Sequence, residues 1–273
     1  MIAGVLLLAM SALYSQNRPV LMGQEKAISD RLGKLRSLPD DEWTKSVADL
    51  AKDIQALPAG SGRAMLIGSL SNLVTEGDAG HDTLQSVAST MAQVLRDGPN
   101  PSLSSTLASL VRYEHLEVSV DSPAYRAAMA KLEEADRSRL SLDFALSDLK
   151  GGKWSMQDLR GKVVLVNFWA TWCPPCRREM PDMEGLYQRF GPRGLVILAI
   201  SDEDSAKVQP FIAEHKYSYP ILLDPGRTVN KLFGVEGIPK SFLYGRDGKL
   251  VAQAIDRRTE RQFLEMLKLA GLE

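Results

Sequence analysis

The segment that most restricts the fold of this chain is Val163-Val164-Leu165-Val166-Asn167-Phe168, which runs through Trp169-Ala170-Thr171 into Trp172-Cys173-Pro174-Pro175-Cys176. An apolar run without alternation is the pattern of a strand covered on both faces. The two prolines sit where helix N-termini accept them, because the first helical N–H groups have no partner to lose. Further strands read at Leu195–Ile200, Tyr219–Leu223, Ser241–Tyr244 and Leu250–Ala254. Helical stretches read at Pro174–Phe190, Ser205–His215, Thr228–Phe233 and Thr259–Ala270. Ahead of them Leu142, Phe144 and Leu146 alternate, and Gly151-Gly152 marks a turn. Residues 140–273 are therefore expected to form an α/β domain around a mixed sheet.

The chain has only two cysteines, at i and i+3, so none remains for a structural bridge once they are paired. The first turn of a helix brings two such Cβ atoms within disulfide reach. Cys173, at the N-cap or first turn, faces the positive end of the helix dipole and unpaired N–H groups, which favour its thiolate. A lowered pKa makes it both attacker and leaving group, and Cys176, one turn inward, resolves the mixed disulfide. Structural zinc is disfavoured, since four ligands are needed and His81, His115 and His215 are scattered. Haem attachment would place histidine where Arg177 stands. The redox chemistry needs no cofactor and no metal. A net charge of −1 gives no pull toward nucleic acid.

Residues 22–139 read as an all-helical domain of unknown role. Asp40 is expected to cap a helix carrying Trp43, Val47, Leu50 and Ile54. A second helix from Arg63 is expected to stop at a C-terminal glycine, Gly77. Leu84 to Leu95 and Pro101 to Leu116 form the next two, and Ser122-Pro123 opens a last one reaching about Arg139. Short connections predict antiparallel neighbours, as a bundle or stacked hairpins. The 1–21 segment is apolar from Ile2 to Leu13, long enough for a signal core but short of a full membrane span. It is expected to export the chain or anchor it to the membrane, although no basic residues precede the run.

Residues 142–273 resemble the TlpA/ResA-type branch of the thioredoxin superfamily. The resemblance rests on Leu159-Arg160-Gly161-Lys162, on Asn167 to Cys176 as a block, on Glu179 and Pro181, and on Gly237-Ile238-Pro239 and Asp247-Gly248-Lys249. It implies a thioredoxin-like fold for the C-terminal domain. It also implies that Pro239 is the cis-proline facing the cysteine pair, that Ile238 offers its backbone to an extended client segment, and that Trp172 flanks the same surface. Glu179 would tune the protonation of the thiols, for which it must be at least partly buried. As bare sequence, a glutamate in Arg177-Arg178-Glu179 is more often a solvated helix charge. Asn167 stands where thioredoxins carry an aspartate; it cannot accept a proton, which shifts that task to Glu179. Asp256 replaces a glycine common in the family.

The resemblance implies a thiol–disulfide oxidoreductase that reduces disulfide-bearing client proteins outside the cytoplasm, as in cytochrome c maturation, with electrons from a membrane thiol–disulfide donor. Two alternatives stand beside it. In one, the helical domain binds or assembles partners and the redox domain is auxiliary. In the other the protein is a peroxiredoxin, but the Pro-x-x-x-Thr-x-x-Cys frame is not met, since Thr171 lies two residues before Cys173.

Overall fold

The computed structural model describes residues 19–273. The apolar run from Ile2 to Leu13, expected to export or anchor the chain, lies outside the described residues. Among the described residues no helix is long and apolar enough to cross a membrane.

Among the described residues six α-helices come first: α1 (Gly23–Leu32), α2 (Asp40–Ala56), α3 (Ser61–Ser71), α4 (His81–Asp97), α5 (Pro101–Tyr113) and α6 (Pro123–Arg139). Helices α1 to α5 share one core built on Leu50, Ile54, Leu70, Val87, Met91 and Leu107, all without measurable exposure. Each packs against its neighbour, and α1–α3, α2–α4 and α3–α5 also touch, as in stacked hairpins. Two of these helices open on side-chain caps, of which the Ser122 cap was expected. Asn100 accepts from the Leu103 N–H at 3.0 Å before the proline of α5, and Ser122 accepts from Tyr125 before that of α6. Helix α6 buries no residue of its own and instead bridges the two halves. Its Arg139 donates to the Phe233 carbonyl at 2.7 Å, and the Arg139 carbonyl accepts from the Tyr244 hydroxyl at 3.0 Å.

Two sequence expectations in this half are corrected. Asp40 is the first residue of α2 rather than its cap; Pro39 holds that position. The Asp40 carboxylate is drawn away by Arg257, whose guanidinium donates to it at 3.1 and 2.9 Å. Gly77 does not end a helix, because α3 stops six residues earlier, at Ser71. The glycine is there for space: a Cβ at Gly77 would lie 2.9 Å from the Trp43 ring. Gly77→Ala is therefore expected to destabilise the protein by about 1–3 kcal/mol through overpacking. A thermal melt checks this, and an unchanged midpoint would show that the ring yields freely.

The second half opens with a hairpin, β1 (Ala145–Ser147) and β2 (Lys153–Ser155). Then follow β3 (Val163–Trp169), α7 (Pro174–Phe190), β4 (Leu195–Ser201), α8 (Ser205–His215), β5 (Ile221–Leu223), α9 (Thr228–Phe233), β6 (Lys240–Tyr244), β7 (Leu250–Gln253) and α10 (Glu260–Leu269). The sheet order is β5-β4-β3-β6-β7, with β3, β4 and β5 parallel and β6 and β7 antiparallel to their neighbours. Every residue of β3 is buried, which is what its unbroken apolar run required.

Side chains alternate across a strand, so the parity of β3 assigns its neighbours. Val163, Leu165 and Trp169 join Met180, Met183 and Phe190 of α7 and Phe263 of α10 in one core. Val164, Val166 and Phe168 face the other way, onto Phe144, Phe233 and Phe242. Asn167 has the parity of the first set. It is the polar residue of β3, and it points toward α7.

Candidate active site

Cys173 is the N-cap of α7, and its sulfur accepts from the Cys176 N–H at 3.3 Å. The backbone thus supplies the thiolate-favouring donor that the helix N-terminus was expected to provide. The two cysteines form a disulfide, and neither is more than 2 % exposed. Trp172, beside them, is 68 % exposed, an unusual state for tryptophan and a surface suited to contact with another chain. Helix α7 continues through Pro181 to Phe190.

Ile238-Pro239 lies immediately ahead of β6. That strand runs antiparallel to β3, with Lys240 opposite Phe168 and Ser241 opposite Asn167. The segment therefore reaches the end of β3 from which the cysteine loop departs. The Ile238–Pro239 peptide bond is cis.

Glu179 sits one turn after Cys176 on α7 and is 1 % exposed. Its Oε1 accepts from the Asn167 Nδ2 at 2.7 Å, and its Oε2 accepts from the Arg258 backbone N–H at 3.0 Å. The Asn167 amide donates again, to the Ser241 hydroxyl at 3.0 Å. Burial pushes the Glu179 carboxyl up to about 8, although the Arg258 N–H, Asn167 and the charges of Arg257 and Arg258 favour the carboxylate. The solvated-charge reading of this residue is thereby corrected: Glu179 faces the sheet, not water, because its place on α7 aligns it with the inward parity of Asn167. A group titrating near 8 is close to an ordinary thiol and suited to exchange protons with one.

Two residues of this neighbourhood went unnoticed in the sequence. Glu203, 8 % exposed, accepts from the Thr171 N–H at 2.6 Å and from the Thr171 hydroxyl at 3.0 Å. It ties the loop that delivers Cys173 to the segment after β4. Arg258 was passed over because its part depends on a backbone N–H, which carries no side-chain signature. Among the described residues no cluster of His, Cys, Asp and Glu is placed to hold a metal ion.

With this geometry in place, the likeness to known proteins is specific. Residues 138–253 match the AhpC/TSA family model. The thiol-disulfide oxidoreductase ResA of Bacillus cereus (strain ATCC 10987 / NRS 248) is 35% identical over 145 residues, which make up 53% of this chain and 84% of that protein. The chain belongs to the ResA family of thiol–disulfide oxidoreductases. ResA of Bacillus subtilis (strain 168) is 32% identical over 146 residues, covering 53% of this chain and 82% of that protein. Among solved structures, a putative thiol:disulfide interchange protein DsbE from Chlorobium tepidum is 29% identical over 48% of this chain and 94% of its own, with a TM-score of 0.46. Membership in the ResA family makes the protein an oxidoreductase, and its own sheet order and helix-terminal disulfide make the C-terminal half thioredoxin-like. The relatives named here match the redox half of the chain.

Proposed function

We propose that this protein reduces disulfides of client proteins outside the cytoplasm, using Cys173 as attacking thiol, Cys176 as resolver and Glu179 as proton handler. The observation that carries the reading is Glu179, buried one turn after Cys176 with its carboxyl near 8. In the first step the Cys173 thiolate attacks one sulfur of a client disulfide; a mixed disulfide forms and the client's other sulfur leaves as thiolate. In the second, Cys176 gives its proton to the Glu179 carboxylate and attacks the Cys173 sulfur. The Cys173–Cys176 disulfide forms, and the second client sulfur leaves as a thiolate that takes up a proton. Two electrons pass from the dithiol to the client. Asn167 cannot accept the Cys176 proton, and Glu179 is the acid–base group one turn along α7 from Cys176.

Trp172, Ile238 and Pro239 are read as the client rest. They lie at the same end of β3 as the disulfide, and Trp172 stands exposed there. An extended client segment would pair with the Ile238 backbone. The chain is read as an export or anchor segment at 1–21, a helical domain at 22–139 and the redox domain at 140–273. A membrane thiol–disulfide carrier would return the electrons, and cytochrome c maturation is the process in which such a reductant serves.

Direction is tested by the equilibrium potential of the pair, measured against glutathione buffers. A reductant is expected to lie at or below the cytosolic glutathione pool, roughly −220 to −260 mV by extraction. A potential well above that range would make the protein an oxidant and end the reductant reading.

A further inference from the structure

The segment that follows β7 is held by the helical half through three arginines. Arg257 pairs with Asp40 at the start of α2, at 2.9 Å. Arg258 pairs with Glu114 at the end of α5, through two hydrogen bonds of 3.1 and 2.5 Å. Arg261 pairs with Asp78, ahead of α4, at 2.5 Å. Asp256 also accepts from the Thr75 hydroxyl at 3.1 Å. The basic groups of these three ion pairs all come from the redox half and the acidic ones from three separate places in the helical half. The Arg258–Glu114 pair is the buried one, with side chains 6 % and 9 % exposed. In such surroundings a charge is screened poorly by water, so its effect on a neighbour is set by its partner.

Arg258 is also the residue whose N–H binds the Glu179 carboxylate. One residue thus touches the proton handler with its backbone and the helical half with its guanidinium. We propose that the helical domain controls the electrostatics of the redox site, with Glu114 neutralising Arg258, and Asp40 neutralising Arg257, behind the Glu179 carboxyl. Glu114, Asp40 and Arg258 are positioning residues; none of them touches the cysteines.

The sign follows from the charges. With Glu114 in place, Arg258 presents Glu179 with a compensated pair, and burial dominates. Without the Glu114 charge, a bare guanidinium would stand behind the carboxylate and stabilise it. The other groups facing Glu179 are Asn167 on β3 and Tyr219 ahead of β5, which feels its charge; Cys176 and Asp182 stand three residues before and after it on α7, and Asp182 faces Arg257, Glu260 and Asp40. Asp256 and Lys240 lie farther out and interact with Arg258. In the oxidised protein the cysteines do not titrate; burial also raises the Asp182 and Asp256 carboxyls, so the Glu179 signal is identified by its loss in a Glu179 variant.

The test is the infrared carboxyl band of the full, oxidised chain followed against pH, assigned to Glu179 by its absence in Glu179→Gln. Glu114→Gln preserves shape and is expected to lower the titration point by about one pH unit. Arg258→Gln, which leaves the Glu114 charge uncompensated, is expected to raise it by a similar amount. The double variant restores a neutral pair and is expected to return near the wild-type value. A merely structural role would loosen the Arg258 N–H in both single variants and move both upward. Any pattern without opposite signs overturns the proposal. Should the unpaired charge in Glu114→Gln prevent folding, Asp40→Asn makes the same test on Arg257, since the Asp40 side chain is 67 % exposed. A downward move supports the proposal and a stationary titration point overturns it. This role presupposes Glu179 as the proton handler, yet the band is read without turnover, so a failed reductase assay and a failed titration are separate results.

Discussion

Cys176→Ala is expected to turn the protein into a covalent trap, holding clients through Cys173 as mixed disulfides that dithiothreitol releases. The reason is the division of labour at the start of α7. Cys173 occupies the N-cap, where a backbone N–H meets its sulfur and the dipole favours the thiolate. It can attack without its partner. Release depends on a second thiol already in place, and a well-oriented intramolecular group acts at effective concentrations of about 10⁵ M or more. An external thiol at millimolar levels cannot replace it, so turnover should fall by at least about a thousandfold. Non-reducing electrophoresis of the full chain isolated from its native compartment, with each cysteine variant beside wild type, checks this. Trapping by Cys173→Ala instead would reverse the roles of the two cysteines.

Glu179→Gln is expected to produce the second large effect, in two measurements. A glutamine keeps the size of the buried side chain but cannot take up the Cys176 proton. Loss of general acid–base help costs about 10²–10⁴-fold in rate, and the loss should fall on the second step. In a stopped reaction the variant would therefore accumulate mixed disulfide, whereas a defect confined to the first step would not. If the rate and its pH dependence match wild type, Glu179 is not the proton handler.

The second measurement is stability against pH. The Glu179 carboxyl is raised to about 8 in the folded protein from an ordinary 4.5. Between those values the folded state binds more protons than the unfolded one, so stability falls as pH rises. The protonated carboxyl's advantage is complete below about 4.5 and lost as pH climbs through about 8. The full difference is of the order of a few kcal/mol, at about 1.4 kcal/mol per pH unit. Urea midpoints at pH 5 and pH 9 should diverge less in Glu179→Gln than in wild type. Equal divergence would place the titration elsewhere.

Much of the redox half was legible because its signals are local. The unbroken apolar run marked β3, and the paired prolines marked the start of α7. Ser122-Pro123 marked α6 for the same reason, since a cap acts within one turn. Helix α1 was not separately delineated, and Asp40 and Gly77 were misread. Both residues carry the right chemistry for a helix end, but each is occupied by a distant partner: Arg257 for the carboxylate and the Trp43 ring for the space beside the glycine. A local rule cannot register a competitor that arrives from elsewhere in the chain.

The cysteine pair shows the same division. Its spacing, its apolar strand and its prolines determined that a disulfide would sit at a helix N-terminus, because strand, turn and first helical turn are neighbours in the chain. Whether Glu179 would be a solvated charge or a buried acid depended on which face of α7 met the sheet. That was decided by the packing of β3 and by Arg258, 79 residues further on. The ion pair behind it joins residues 144 apart. Burial and charge compensation are properties of assembled surfaces, and only the tertiary structure brings those surfaces together.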